Sequence, residues 1–364
     1  MKVIIGAGGT GGHLYPALAL VEYIKKNDPT SEFIFVGTKD RLESEVVPKL
    51  GYNYVGLNVR GMVGNPIKKA YSALIFIKSI SSAKKVIKKF KPDIVIGFGG
   101  YPSASVVKAA EKLGVKTLIH EQNSIIGLTN KILINQVDQI VCCYEKAYNE
   151  FPKEKTHLLG NPRASVIVNT TPKDIFAKYG LDSKKKLITI VMGSLGSSSI
   201  NNVMVDVLKR IDGKDYQVLY ATGKNNYDEM MSKVTASDNV KIVPYIDDMP
   251  SVMNYTDVIV SRAGASTIAE ITALGVPAIL IPSPYVAANH QEYNALELVN
   301  KQAAVMIKEK DLNADLFIKE AEDIILDNNK QSLLKSNSKA LGKPNALKDI
   351  YNLIEGMLKD GSKI

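Results

Sequence analysis

The amino-acid sequence predicts an α/β fold with two Rossmann-like domains that face each other across a cleft. Short apolar runs, typical of buried parallel strands, alternate along the chain with segments of helical period. Two of these runs, ending at Ile5 and Met192, lead into glycine-rich loops that are followed by helical segments. The 364 residues are enough for two domains of ordinary size. Ligands of such sheets bind at the carboxyl ends of the strands, so both loops are expected to line the cleft.

The first domain is predicted over residues 1–162. Helical stretches such as Pro16–Lys26 and Ser103–Leu113 separate its strands. The expected strands are Val3–Ile5, Phe33–Val36, Asp93–Gly97, Thr117–His120 and Gln139–Val141. The alternation pauses near residues 158–163, which places the domain boundary there.

The second domain is predicted over residues 163–343. It opens like the first domain, with a strand, a glycine loop and a helix from about Asn201 to Arg210. Its expected strands are Leu187–Met192, Gln217–Ala221, Val240–Pro244, Val258–Ser261 and Ala278–Ile281. A last amphipathic helix is expected at about residues 344–360.

Composition excludes several classes of protein. No run approaches the roughly 20 apolar residues that span a bilayer, and the first residues lead straight into glycines instead of a secretory segment. The two cysteines, Cys142 and Cys143, are adjacent, which suits neither a disulfide framework nor a zinc site. The four histidines lack metal-ligand spacing, so no metal and no cofactor is expected. A net charge of +9 favours anionic partners without identifying them.

The first glycine loop, residues 6–12, ends on His13 and indicates both a phosphate-bearing ligand and a proton acceptor. It satisfies G-x-G-x-x-G, but the second strand lacks the acid that binds a nicotinamide ribose, since Asp40 comes too late. A P-loop is excluded because no Gly-Lys-Ser/Thr follows. His13 is the candidate general base; the alternative is a residue at a helix start that is merely hydrogen-bonded in place.

The second cluster, residues 261–270, is a strand end followed by small residues and a helix start. The amides of residues 265–267 and the hydroxyl of Thr267 are suited to a diphosphate, and Glu270 to a ribose diol. The alternative is a capping box, in which Ser266 or Thr267 caps the helix and Glu270 answers it. Farther on, His290 and Gln291 lie in a polar run suited to sugar hydroxyls.

Residues 67–91 combine eight lysines with apolar side chains and contain no acidic residue. This pattern is typical of a membrane-surface site. The predicted membrane-contacting residues are Leu74, Phe76, Ile77, Ile80, Lys78, Lys84 and Lys85. The alternative is that Leu74, Ile77 and Ile80 face the core while the lysines are solvated. Nucleic acid is not expected, because no set of stacking aromatic and arginine residues accompanies the lysines.

Taken together, the motifs resemble the MurG family of bacterial peptidoglycan glycosyltransferases over nearly the whole chain. The matching stretches are residues 8–13, 97–101, 120–123, 160–163, 247–249 and 262–270. The resemblance implies a GT-B architecture and inverting transfer of N-acetylglucosamine (GlcNAc) from UDP-GlcNAc to the C4 hydroxyl of N-acetylmuramic acid (MurNAc) in lipid I, forming lipid II by a β-1,4 link. It further implies a peripheral location on the cytoplasmic face of an anionic cell membrane, a last helix that returns to the first domain, and contact with cell-wall synthesis machinery.

The resemblance also assigns residues. His13 is implied as the base. The implied donor-binding residues are Thr10, Gly11, Gly12, Asn123, Arg163, Ser194, Ile246, Ser266, Thr267, Glu270, His290 and Gln291. The implied acceptor-pyrophosphate residues are Gly8, Gly9, Gly99, Gly100 and Tyr101.

Two positions depart from the family pattern. In the third glycine loop, residues 193–197, Leu195 stands where the family usually has glutamine, and His290 stands where many relatives have glutamine. Three other functions remain open from the residues: a UDP-sugar-dependent diacylglycerol glycosyltransferase, a UDP-GlcNAc 2-epimerase, and a non-catalytic membrane scaffold that senses UDP-sugar. Assays with both lipid acceptors, and the dependence of turnover on His13, separate these alternatives.

Overall fold

The chain forms two compact units in a computed structural model that describes residues 1–59, 61, 65–193, 196–235 and 237–360. The side chains of residues 66–69 and 360 lie outside this description. Unit 1 comprises Met1–Ser165 and Asn345–Ile364, and unit 2 comprises Val166–Pro344. Among the described residues, no helix is long and apolar enough to cross a membrane.

Unit 1 is built on a parallel sheet that has seven strands within its described residues. The strands are β1 (Lys2–Ala7), β2 (Glu32–Thr38), β3 (Asn53–Leu57), β4 (Ile94–Gly99), β5 (Lys116–Glu121), β6 (Gln139–Cys142) and β7 (Thr156–Leu158). The helices are α1 (Gly11–Asn27), α2 (Leu42–Lys49), α3 (Pro66–Phe90), α4 (Tyr101–Glu111), α5 (Leu128–Lys131), α6 (Glu145–Glu150) and α7 (Pro162–Val168), the last crossing into unit 2.

The strand order of unit 1 is β3-β2-β1-β4-β5-β6-β7. The order therefore reverses between β1 and β4, and right-handed crossovers put the helices that follow them, α1 and α4, on opposite faces of the sheet. Such a reversal opens a crevice at the carboxyl ends of the two strands, which is where parallel sheets bind ligands.

Unit 2 repeats this plan with a parallel sheet of order β10-β9-β8-β11-β12-β13, counted over the described residues. Its strands are β8 (Lys186–Val191), β9 (Tyr216–Ala221), β10 (Val240–Val243), β11 (Val258–Ser261), β12 (Ala278–Leu280) and β13 (Val305–Met306). Its helices are α8 (Phe176–Tyr179), α9 (Ser198–Lys209), α10 (Tyr227–Lys233), α11 (Met249–Tyr255), α12 (Ala265–Leu274), α13 (His290–Val299), α14 (Ala314–Ile325) and α15 (Asn328–Leu341). The reversal here falls between β8 and β11.

The last helix, α16 (Ala346–Asp360), belongs to unit 1 and contacts α1. Its buried side chains include Leu347, Ile350 and Ile354. Tyr351 meets Tyr23 of α1 edge to face with ring centroids 5.8 Å apart, and the Leu347 amide donates to Ser165 Oγ at 3.0 Å. The amphipathic pattern thus buries its apolar stripe on unit 1.

The predicted α/β strands are confirmed in both units, while three strands were missed. β3 lies at the edge of its sheet and carries Asn53 and Gly56, which weaken the apolar signal. β7 and β13 have three and two residues. Such short strands carry too little periodicity to be recognised from sequence.

Candidate active site

The two glycine loops of unit 1, residues 6–12 after β1 and residues 97–100 at the end of β4, meet at the crevice between these strands. Gly100 has φ +81°, and a Cβ added there would lie 2.5 Å from the carbonyl oxygen of Gly8. Gly99 has φ +113°, and its Cβ would lie 2.7 Å from Nε2 of His13. Both positions need glycine, because a side chain would have an unfavourable conformation and would also collide with the opposite loop.

His13 stands in the first turn of α1, which begins after Thr10 in extended conformation. Its Nδ1 lies 2.8 Å from the carbonyl oxygen of Gly8. A carbonyl only accepts hydrogen bonds, so Nδ1 carries the proton and the lone pair of the neutral ring is on Nε2. Nε2 is the atom beside Gly99, so the ring is oriented to accept a proton at the glycine loops.

Glu43 in the first turn of α2 holds the first glycine loop and was not predicted. Its side chain is 1% exposed. One carboxylate oxygen accepts from the Thr38 amide at 2.9 Å and the Thr38 hydroxyl at 2.8 Å, and the other accepts from the Gly9 amide at 3.1 Å. This acid lies near the end of β2, where a ribose-binding acid was sought, but its oxygens bind protein groups. The position of Glu43 shortly after β2 is the sequence feature that could have indicated this role.

A second buried acid, Glu121 at the end of β5, shapes the loop that carries Asn123. It accepts from the amides of Asn123 at 3.0 Å and Gly127 at 2.8 Å, and from Asn130 Nδ2 at 2.8 Å. The sequence motif at 120–123 was recognised, but this structural role of its glutamate was not. Asn123 is therefore held at the carboxyl edge of the same sheet as His13.

His120 is a structural histidine in the core of unit 1. Its Nε2 donates to the carbonyl oxygen of Gly160 at 3.0 Å, and its ring stacks on Phe98. Burial lowers its pKa to about 4, so the ring is neutral near pH 7. The bond ties β5 to the loop before Arg163, whose amide donates to Asn161 Oδ1 at 3.0 Å.

Unit 2 contains a cleft of about 560 Å³ at the amino end of α12. This volume lies within the range of small-ligand sites, roughly 300–1,000 Å³. Four of the predicted donor residues line it: Ile246, Thr267, Glu270 and Gln291. Gln291 Oε1 also accepts from the Ser283 amide at 2.9 Å. The first-turn amides and the helix dipole make this end of α12 suited to an anion.

Two details differ from the sequence-based picture of this cleft. The capping-box alternative was wrong: Gly264 is the N-cap, so Ser266 and Thr267 lie inside the first turn. Ser266 and His290 are absent from the described residues that line the cleft, and His290 Nδ1 lies 2.9 Å from the carbonyl oxygen of Ala287. Ser194 and Leu195 lie outside the described residues.

Arg262 and Glu309 form a nearly buried ion pair at the edge of this cleft. Arg262 Nη1 lies 2.6 Å from Glu309 Oε2, and Nη2 donates to Ser197 Oγ at 2.9 Å. The pair thereby holds the third glycine loop. Arg262 was part of a recognised motif, whereas Glu309 follows it by 47 residues and carried no local signal.

The long helix α3 has an apolar surface as well as a core face. Leu74 and Ile77 are 60% and 61% exposed, beside exposed Lys78 and Lys85. The alternative, in which Leu74, Ile77 and Ile80 all face the core, is therefore wrong for Leu74 and Ile77. Ile80, however, is only 9% exposed and belongs to the core, so its prediction as a membrane residue was wrong. Phe76 and Lys84 are partly buried, with Phe76 packed against the core of unit 1.

Comparison with known proteins assigns the chain to a family. The glycosyltransferase family 28 N-terminal domain matches residues 3–142, and the family 28 C-terminal domain matches residues 187–353. The chain belongs to glycosyltransferase family 28. Named relatives are similar to this chain over nearly its full length. A protein of Bacillus cereus named UDP-N-acetylglucosamine--N-acetylmuramyl-(pentapeptide) pyrophosphoryl-undecaprenol N-acetylglucosamine transferase 1 is 42% identical over 99% of this chain and 100% of its own length.

A relative with the same enzyme name from Limosilactobacillus fermentum is 43% identical, with both chains covered completely. Among solved structures, Acinetobacter baumannii MurG matches with a TM-score of 0.80 and 25% identity, over 98% of this chain and 99% of that one. The predicted GT-B class is thereby confirmed for this family 28 member. A putative UDP-N-acetylglucosamine 2-epimerase of Listeria monocytogenes shares the fold, with a TM-score of 0.72 and 14% identity over 99% of this chain and 97% of that one.

Proposed function

We propose that this protein transfers GlcNAc from UDP-GlcNAc to the C4 hydroxyl of MurNAc in lipid I, forming lipid II with inversion and a β-1,4 link. The observation that carries the proposal is the cleft of unit 2, where a helix amino end, Thr267 and Glu270 offer groups for a diphosphate and a ribose. The enzyme name carried by full-length relatives at 42–43% identity supports the same reaction.

Unit 2 is proposed as the donor domain. The amides at the start of α12 and the Thr267 hydroxyl bind the diphosphate, because they combine hydrogen-bond donors with the positive end of the helix dipole. Glu270 accepts from the ribose diol, the Ile246 backbone reads the uracil edge, and Gln291 contacts the sugar. The remaining proposed donor residues are Thr10, Gly11, Gly12, Asn123, Arg163, Ser194, Ser266 and His290.

Unit 1 is proposed as the acceptor and membrane-binding domain. The crevice between β1 and β4 presents backbone amides at two helix starts, which suits the acceptor pyrophosphate. The proposed residues are Gly8, Gly9, Gly99, Gly100 and Tyr101. Leu74 and Ile77 with Lys78 and Lys85 are proposed to contact an anionic membrane surface, which places the enzyme peripherally on the cytoplasmic face, near other cell-wall synthesis proteins.

The chemistry requires that the acceptor hydroxyl lose its proton as it attacks the anomeric carbon. His13 accepts this proton at Nε2, and a positioned base typically contributes about 10²–10⁴-fold. The negative charge that develops on the leaving UDP is stabilised by the amides and dipole of α12. A single displacement inverts the anomeric centre, with no covalent intermediate on the protein.

The test is transfer of labelled GlcNAc to a lipid I analogue by the His13→Ala variant. We expect turnover to fall by about 10²–10⁴-fold, since the base is lost. UDP affinity, measured by calorimetry, should remain unchanged. The matched control is His157→Ala, since His157 lies in β7 of the same unit and bonds to Gln139.

Two results would count against the proposal. Full turnover by His13→Ala would remove the base assignment. Transfer to diacylglycerol in place of the lipid I analogue would favour the diacylglycerol glycosyltransferase instead.

A further inference from the structure

A single peptide group joins His13 to a buried carboxylate. The carbonyl oxygen of Gly8 accepts from His13 Nδ1 at 2.8 Å, and the amide of Gly9 donates to Glu43 Oε2 at 3.1 Å. That oxygen and that nitrogen belong to the same peptide bond, the one between Gly8 and Gly9. The order of groups is therefore carboxylate, peptide N–H, peptide C=O and imidazole N–H.

Glu43 is fixed independently of this peptide. Its other oxygen accepts two hydrogen bonds from Thr38, at 2.9 Å and 2.8 Å, and its side chain is 1% exposed. A Cβ at Gly8 would lie 3.0 Å from Glu43 Oε1, so the loop lies directly against the carboxylate. The loop can approach this closely because Gly9 adopts a φ of +94°, which residues with a side chain rarely adopt.

We propose that Glu43 is a positioning residue for His13 and acts through the peptide group between Gly8 and Gly9. A negative charge at the N–H end polarises the peptide, which strengthens its carbonyl as an acceptor. The stronger acceptor keeps the proton on Nδ1, leaves Nε2 as the basic atom, and stabilises the imidazolium formed after proton transfer. A carboxylate bonded directly to histidine has the same effect in catalytic triads.

The inference rests on the proposed function, because His13 must act as the base for turnover to report on Glu43. Among the described residues, the contacts of the ring include the backbone of Gly8 and Gly99 and the Thr10 hydroxyl, 3.4 Å from Nδ1. None of these titrates in the working range. Near Glu43, burial followed by the charges of Glu43 and Asp40 raises the pKa of Tyr54.

The experiment compares Glu43→Gln with Glu45→Gln. Both changes remove one negative charge from α2, but Glu45 is exposed, so the pair isolates the buried contact. In Glu43→Gln one amide oxygen remains, so it accepts from either Gly9 or Thr38 while the NH2 group faces the other backbone donor. The variant therefore removes the charge together with one of the two accepting oxygens. Three quantities are measured: the pH profile of kcat/KM, the tautomer of His13 from nitrogen-15 spectra, and the affinity for UDP by calorimetry.

For Glu43→Gln we expect an approximately tenfold loss of kcat/KM, the usual scale for one charge-assisted hydrogen bond. The acid limb of the profile should move to lower pH by roughly half a unit, and the Nδ1–H tautomer should decrease. UDP affinity should not change, and Glu45→Gln should behave like the wild type. A folded Glu43→Gln with wild-type profile and tautomer overturns the proposal.

Glu43→Asp covers the case in which Glu43→Gln does not fold. It keeps the charge, but the side chain is one methylene shorter and cannot reach Thr38 and Gly9 together. The His13 tautomer should then shift although the charge remains, and an unchanged tautomer contradicts the proposal. Because the tautomer is measured without turnover, it tests Glu43 separately from the base role. Full turnover by His13→Ala rejects the base role alone. An inactive His13→Ala variant, together with an unaltered His13 tautomer in Glu43→Gln, rejects only the positioning of His13 by Glu43.

Discussion

Buried charged residues hold the site loops in place at the scale of single side chains. In unit 1, Glu43 binds the first glycine loop and Glu121 binds the loop of Asn123. In unit 2, Glu309 pairs with Arg262, which donates to Ser197 in the third glycine loop. A buried carboxylate must be compensated by donors, so each of these acids orders the backbone around it. Their removal should disturb loop geometry more than core packing.

The same scale yields a prediction about pH and stability at His120. Burial lowers the pKa of His120 to about 4, below the value of about 6.5 expected when unfolded. Between these values the unfolded chain binds a proton that the folded chain does not. The contribution of His120 to the free energy of unfolding is therefore fully present above about pH 6.5 and declines as the pH falls toward 4, by about 3 kcal/mol in all.

The measurement is urea unfolding of the wild type and of His120→Gln at several pH values across this range. The variant cannot take up the proton, so its stability should fall less steeply on acidification, even if it is lower at pH 7. Parallel curves for the two proteins would show that His120 does not carry this pH dependence.

At the scale of elements, α3 has two faces that lie in different environments. One face, with Ile80, Ala83 and Ile87, is buried in the core of unit 1. Another exposes Leu74 and Ile77 among lysines. Burying such exposed apolar groups in a lipid interface is favourable, and the lysines add attraction to anionic headgroups. The same helix thus has one face in the core and an exposed apolar face that the proposed membrane contact requires.

We predict that the double variant Leu74→Ser and Ile77→Ser loses binding to vesicles that contain phosphatidylglycerol. Each exposed side chain contributes up to about 1.5–3 kcal/mol when fully buried, so affinity should fall by at least tenfold. Vesicle sedimentation measures this loss. The matched control is Leu326→Ser with Leu333→Ser, two exposed leucines of unit 2. Equal binding by the α3 variant and the wild type would remove α3 from the membrane contact.

At the scale of the whole chain, the polypeptide leaves unit 1, forms unit 2 and returns to unit 1 through α16. The return buries Leu347, Ile350 and Ile354 in unit 1. Unit 1 therefore depends on residues that follow unit 2 in the sequence. Contacts this distant along the chain make unit 1 incomplete until α16 has been synthesised.

Truncating Ile350 tests this dependence. Ile350→Ala should lower the free energy of unfolding of unit 1 by about 2–5 kcal/mol, because it leaves a cavity in a fully buried position. Hydrogen exchange should show lost protection in unit 1 and unchanged protection in unit 2, and UDP affinity should persist. Asn352→Ala, at an exposed position of the same helix, is the control. Equal loss of protection in both units would contradict the assignment of α16 to unit 1.

Local patterns were sufficient to predict the strands with strong apolar runs and the glycine loops. The strand before Gly6 and the cluster from Ser261 to Glu270 were recognised because neighbouring residues specify a strand end and a helix start. The exposed state of Leu74 and Ile77 was not decided locally. Spacing of three or four residues defines a helix face but does not state what lies opposite that face. Ile80 shares this spacing and is nevertheless buried.

The sequence by itself determined the α/β class, the glycine loop that ends on His13, and the strand end and helix start from Ser261 to Glu270, because each depends on residues close together in the chain. Tertiary structure alone decided that Glu43 binds the Gly9 amide 34 residues away and that Glu309 pairs with Arg262 across 47 residues. The physical reason is that a buried charge is compensated by whichever donors folding brings to it. Periodicity and spacing describe one segment, whereas a hydrogen bond between distant segments depends on the packing of the entire unit.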